Sequence, residues 1–139
     1  MTHLIIDASV AIKWVVPEPE TRQALALRRH RLFAPDLLVA ECANVLWKKV
    51  RRSELTPKEA EMAARLLEHT DVELAPMRQL LEAATTLALV LDHPAYDCIY
   101  LALAERLSCD FVTADQRLQA KTLPTGYKSK VIALAAAEQ

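Results

Sequence analysis

Residues 4–11 read LIIDASVA: three aliphatic residues, one carboxylate at Asp7, then small and apolar residues in which a helix can start. Three apolar residues in succession suit a strand covered on both faces, as strands of parallel sheets are. An acid at the end of such a strand marks the turn into a helix, because its side chain accepts the helix's unpaired N–H groups. A buried strand that passes through an acid into a helix is the first half of a strand–helix–strand unit, so this stretch sets the expected fold class as α/β.

The rest of the chain continues the alternation. A short helix from about residue 9 runs to the break at Pro17-Glu18-Pro19, and residues 20–31 are helical. Residues 32–34 form a short strand, after which Pro35 opens a strong helix over about 36–52. Thr56-Pro57-Lys58-Glu59 has the form of a capping box, which starts a helix reaching about residue 69 and makes a hairpin with the one before. Residues 72–74 are strand-like, 78–91 helical, and Pro94 begins a helix whose 98–104 segment is apolar almost all round, so that helix should be buried. Residues 111–113 form a strand, 115–121 a short helical turn and 131–134 a final strand before the tail at 135–139. The expectation is a central, mostly parallel sheet of about five short strands flanked by helices. One domain over residues 1–139 is expected, a length that can bury most of its apolar surface.

Composition narrows the function. Hydrophobic residues make 53% of the chain and charged residues 25%, and no apolar run approaches the ~18 residues of a membrane span. Asp7 interrupts the first apolar run before it reaches the length of a secretory signal, so a cytoplasmic, membrane-free protein is expected. Cys42, Cys98 and Cys109 are odd in number, lack CxxC spacing and lie among apolar neighbours, which argues against disulfides and structural zinc. The single glycine, Gly126, excludes phosphate-binding loops that need several. Net charge is −1, with positive charge gathered locally in RRHR (28–31) and KKVRR (48–52).

Four acids occupy positions that an apolar context makes costly: Asp7, Glu41, Asp97 and Asp115. Asp7 and Asp115 each suit a helix cap, and Asp97 complements the positive end of its helix. Glu41 is different, because Leu38, Cys42, Val45 and Leu46 flank it on the face that should pack inward. Glu41, Asn44 and Lys48 then form one polar line along that helix. Ligands of open parallel sheets bind beyond the carboxyl ends of the strands, where Asp7 and Asp115 lie and where the helix after Pro94 would aim its first turn. If Glu41 joins them, the converging charge needs protons or a cation, and an all-oxygen set suits Mg²⁺ or Mn²⁺. Such sites most often serve displacement at phosphorus.

Four blocks, IIDASVAIKW, PDLLVAECANVLWK, YDCIYLALAERL and FVTADQRL, resemble in order and spacing the successive blocks of the PIN-domain ribonucleases, and within them the VapC-type toxins of toxin–antitoxin pairs. The resemblance spans nearly the whole chain. It implies a single PIN-like α/β domain whose Asp7, Glu41, Asp97 and Asp115 coordinate one or two Mg²⁺ or Mn²⁺ ions and activate water for RNA cleavage. Thr113 stands at the place of the hydroxyl residue that supports the last acid, and Ser9 and Asn44 match positions near the metal. For these three a cap or a core hydrogen bond is an equal alternative. The resemblance further implies a tRNA, rRNA or mRNA substrate, a homodimer, and a small VapB-type antitoxin that wraps the groove and blocks the site.

An acidic site repels a polyanion, so RNA affinity must come from cations around it. Lys48, Lys49, Arg51 and Arg52 continue the line from Glu41 and are the first candidates, with Lys13 and Arg117 as further groove residues. Residues 28–31 read as ordinary surface, Tyr96 as a packing residue, and Trp14 and Trp47 as core or dimer contacts. Three readings stand beside the ribonuclease: a metal-dependent phosphatase or DNA nuclease, a receiver-like signalling domain, and an inert protein-binding module whose acids are all caps.

Overall fold

The computed structural model describes residues 2–137. Five strands, β1 (His3–Ile6), β2 (Arg31–Pro35), β3 (Glu73–Ala75), β4 (Asp110–Thr113) and β5 (Val131–Ala133), form one sheet in the order β3-β2-β1-β4-β5. All four pairings are parallel, so the sheet goes beyond the mostly parallel one expected. Leu4, Ile5 and Ile6 are all buried, which a strand achieves only when both faces of the sheet are covered.

Six α-helices connect and cover the strands: α1 (Ala8–Ala11), α2 (Thr21–Ala26), α3 (Leu37–Arg51), α4 (Pro57–Glu68), α5 (Leu81–Leu91) and α6 (Ala95–Arg106). The first helix starts one residue earlier than the sequence suggested, because Asp7 caps it by accepting the Val10 N–H at 3.3 Å. It gives way to a 3₁₀ turn at Ile12–Trp14. Similar 3₁₀ turns shorten the segment expected to be helical over 20–31 and replace the start of the 78–91 helix, and only Leu118–Ala120 is wound in the segment 115–121. The capping box before α4 is complete: Glu59 N–H donates to Thr56 Oγ1 at 3.1 Å, and Thr56 N–H donates to Glu59 Oε1 at 2.8 Å. The last strand ends one residue earlier than expected, as Leu134 joins residues 135–136 of the expected tail in a 3₁₀ turn, and residues 138–139 lie outside the described residues.

Helix α6 is the central packing element. Cys98, Tyr100, Leu101, Ala102, Leu103 and Ala104 are all buried, matching its apolar circumference. It packs on α5 and against β1, β2 and β4. That position delivers its first turn to the carboxyl ends of β1 and β4, which pair in register as Ile6 with Val112. No single helix among the described residues is long and apolar enough to cross a membrane.

Candidate active site

The order in which strands are added reverses at β1: β2 and β3 extend the sheet on one side of it, β4 and β5 on the other. The crevice beyond such a switch point is where open α/β sheets place ligands. Asp7 follows β1 directly, and Asp115 stands two residues past β4. Glu41 lies in the second turn of α3, which begins soon after β2, and Asp97 lies in the first turn of α6.

Asp7 is the most enclosed of the four, 6% exposed. Ser9 donates its hydroxyl to Oδ1 at 2.5 Å, and Thr113 donates to Oδ2 at 2.6 Å. Burial nevertheless pushes its carboxyl up to about 6; the two hydroxyls oppose the shift, and the charges of Asp97 and Glu41 add to it. Glu41 is half-buried and also raised, first by burial and then by Asp97, while the Tyr100 hydroxyl, donating to Oε1 at 2.6 Å, works against the rise. Asp97 accepts a hydrogen bond from Nε2 of the buried His93 at 2.7 Å. Asp7, Glu41 and Asp97 therefore lie within electrostatic reach of one another.

Asp115 stands apart from that trio. Arg117 grips its carboxylate with Nε at 3.1 Å from both oxygens and an Nη at 2.6 Å from Oδ2, which holds Asp115 below the usual carboxylate range. Asp115 is tied to the site through Thr113, whose Oγ1 accepts the Asp115 N–H at 3.0 Å, and through Ser9, whose Oγ accepts the Ala114 N–H at 2.9 Å. Ser9 and Thr113 thus bind both the first acid and the loop that carries the last. Asn44 is exposed on α3, with no bond to any of the acids.

Every carboxylate donor is an oxygen, and the charge of Asp97 adds to the cost of ionising Asp7 and Glu41, a set whose chemistry fits a hard divalent cation. Each already has a protein partner. Among the described residues no three His, Cys, Asp or Glu side chains are grouped closely enough to hold a metal ion.

The basic residues expected around the groove have different surroundings. Lys49 is 12% exposed at its side chain and is committed to Glu18 and to Glu54, the latter at 3.2 Å. Lys13 is 11% exposed and bonded to the same Glu18 at 3.2 Å. Together they tie the turn after α1 to the end of α3. Lys48, Arg51 and Arg52 are exposed and form no ion pair among the described residues, and Arg117 is 75% exposed at the mouth of the site. Trp14 packs against the core and donates to the Ala24 carbonyl at 2.7 Å, but Trp47 is more than half exposed with the Arg51 guanidinium over its ring. Tyr96, expected to pack, is also exposed.

Two site neighbours, His93 and Tyr100, escaped the sequence reading. Each is three or four residues from Asp97, so the helical period around Asp97 was the signal that could have found them.

The model of the PIN domain matches residues 4–122. The VapC ribonuclease Mb0985 of Mycobacterium bovis is 33% identical over 115 residues, 83% of this chain and 87% of the relative. Ribonuclease VapC3 of Pyrobaculum aerophilum is 34% identical over 122 residues, 85% of this chain and 93% of the relative. Among solved structures, PAE2754 from Pyrobaculum aerophilum superposes with a TM-score of 0.69 at 22% identity, covering 99% of this chain and 93% of that one. VapBC2 from Rickettsia felis, bound to a DNA fragment from its promoter, does so at 0.66 and 11% identity over 95% and 98%. These two likenesses concern the fold.

Proposed function

The chain belongs to the PIN-domain family, and on that basis we propose that it is a Mg²⁺- or Mn²⁺-dependent endoribonuclease, the VapC-type toxin of a toxin–antitoxin pair. The observation that carries the reading is that Asp7, Glu41 and Asp97 lie within electrostatic reach of one another at the carboxyl edge of a parallel sheet, with Asp115 tied to the same network through Thr113. That the relatives are named ribonucleases supports RNA as the substrate class; a tRNA, rRNA or mRNA as the target is part of the proposal.

In this reading Asp7, Glu41, Asp97 and Asp115 hold one or two divalent ions. When bound, the metal supplies an activated water and neutralises charge at the scissile phosphate. The chain's own part is to fix its carboxylates. Ser9 and Thr113 lock Asp7, His93 restrains Asp97, and the cations at the rim offset the repulsion between an acidic site and a polyanion. Lys48, Arg51 and Arg52, which form no ion pair among the described residues, would fill that last role, with the exposed Arg117, paired to Asp115, beside them.

Partners follow from the same reading. Leu38, Val39, Leu46 and Leu67 line an apolar cavity of about 410 Å³ between α3 and α4, which supports a protein partner such as a small VapB-type antitoxin with an apolar segment. Leu81 and Leu89, 68% and 78% exposed two turns apart on α5, support a homodimer.

The test is incubation of the protein with RNA, DNA and a small phosphate ester, with and without Mn²⁺, beside Asp97→Asn. RNA cleavage that needs Mn²⁺ and disappears in the variant is expected, together with relief of growth inhibition on induction in cells. Cleavage of DNA or of the ester instead of RNA would favour the phosphatase or DNA nuclease reading. Unaltered toxicity in Asp97→Asn would refute the assignment.

A further inference from the structure

Tyr100 lies one helical turn past Asp97 on α6 and is completely buried. Its O–H points at one oxygen of Glu41, 2.6 Å away on α3. A phenol carries its proton at neutral pH and a carboxylate can only accept, so Tyr100 is the donor of that bond. A ring that only filled the core could be phenylalanine; the hydroxyl is the part that packing does not require.

The ring is fixed independently of that bond. It stacks on Phe111 of β4 with centroids 5.5 Å apart and planes 8° from parallel. Two residues further along β4, Thr113 donates to Asp7. The donor that holds Glu41 and the donor that holds Asp7 are thereby referenced to one strand, while Asp97 rides on the helix that carries Tyr100.

We propose that Tyr100 is a positioning residue: by occupying Oε1 of Glu41 it fixes that side chain and leaves Oε2 as the oxygen available to a divalent cation. The inference rests on the metal-dependent reading above. It concerns a side chain that would itself touch neither metal nor RNA.

The experiment uses the full chain with Tyr100→Phe, which keeps the stacked ring and deletes only the donor. Mn²⁺ affinity is measured by titration calorimetry without RNA, and melting in chelator reports whether the variant folds. Partners of metal ligands typically contribute about 10- to 100-fold in affinity, so a loss of at least about 10-fold is expected, with folding retained. Cleavage should return to near the wild-type rate when Mn²⁺ is raised to saturation, because the defect lies in metal binding. A double-mutant cycle then isolates the route: in a Glu41→Gln background, Tyr100→Phe should cause no further loss. Wild-type affinity in Tyr100→Phe, or an equal loss in both backgrounds, overturns the proposal. A wild-type protein that binds no Mn²⁺ overturns the metal-dependent reading and this inference with it, a pattern distinct from normal binding in both proteins.

Discussion

Asp7 carries two tasks in one side chain, capping α1 through the Val10 N–H and presenting a charge at the sheet edge. Its three hydrogen-bond donors favour the ionised form, yet burial wins and lifts its carboxyl from 3.8 to about 6. A folded value above the unfolded one means that the native state binds a proton the unfolded chain has released. The associated stability is present in full below about pH 4 and is lost as pH rises through about 6. A shift of this size corresponds to about 3 kcal/mol. In chelator, Asp7→Asn should therefore be more stable than wild type at pH 7.5 by about 2–3 kcal/mol, and the gap should close on acidification to pH 4. The hydroxyls of Ser9 and Thr113 can turn to accept from an amide, so the variant keeps its partners. Denaturant melts at the two pH values check this; a gap independent of pH would place the titration elsewhere. RNA cleavage should be lost in the same variant.

At the scale of elements, a chain with one glycine must end its helices some other way. After α3 and α6 the left-handed position is taken by Ser53, with φ of 60°, and Ser108, with φ of 56°. Both ends close as Schellman motifs: Ser53 N–H donates to the Val50 carbonyl and Glu54 N–H to that of Lys49, while Ser108 and Cys109 bond Glu105 and Ala104. Left-handed backbone costs a side-chain-bearing residue about 1–2 kcal/mol, so Ser53→Gly and Ser108→Gly should each stabilise by up to about 1 kcal/mol after the greater freedom of glycine in the unfolded chain is deducted. Thermal melts of the two variants test this, and a fall in both would contradict it. These stops were invisible in the sequence because serine marks no helix end by itself. What the sequence did disclose was local: the β1–Asp7–α1 junction, the Thr56–Glu59 box and the apolar circumference of α6 each follow from neighbours in the chain. That Lys49 is tied to Glu18 could not be read from the sequence, because the two meet only after folding, 31 residues apart along the chain. Glu41 stood out from its apolar flanks, but Tyr100, which holds it, is 59 residues distant and resembled any core aromatic.

Across the whole molecule, the four acids sit on parts of the chain that only the complete sheet brings together: the end of β1, helix α3, the first turn of α6 and the loop after β4. A ligand that engages them binds the folded chain and not the unfolded one, so its affinity appears as stability. At a Mn²⁺ concentration 100 times its dissociation constant, linkage predicts about 2.7 kcal/mol of added stability, several degrees in melting temperature for a domain of this size. Asp97→Asn should reduce most of that shift while leaving the metal-free melt near that of wild type. The shift should also depend on pH. At pH 7.5 the Asp7 carboxyl is ionised and the cation relieves repulsion from Glu41 and Asp97, whereas at pH 5 the ion must first displace the Asp7 proton. Stabilisation by a fixed Mn²⁺ concentration is therefore expected to be larger at pH 7.5 than at pH 5, read as the difference between melts with metal and with chelator at each pH. A wild-type melting temperature indifferent to Mn²⁺ at both pH values would mean that the carboxylates at this edge do not act as one site.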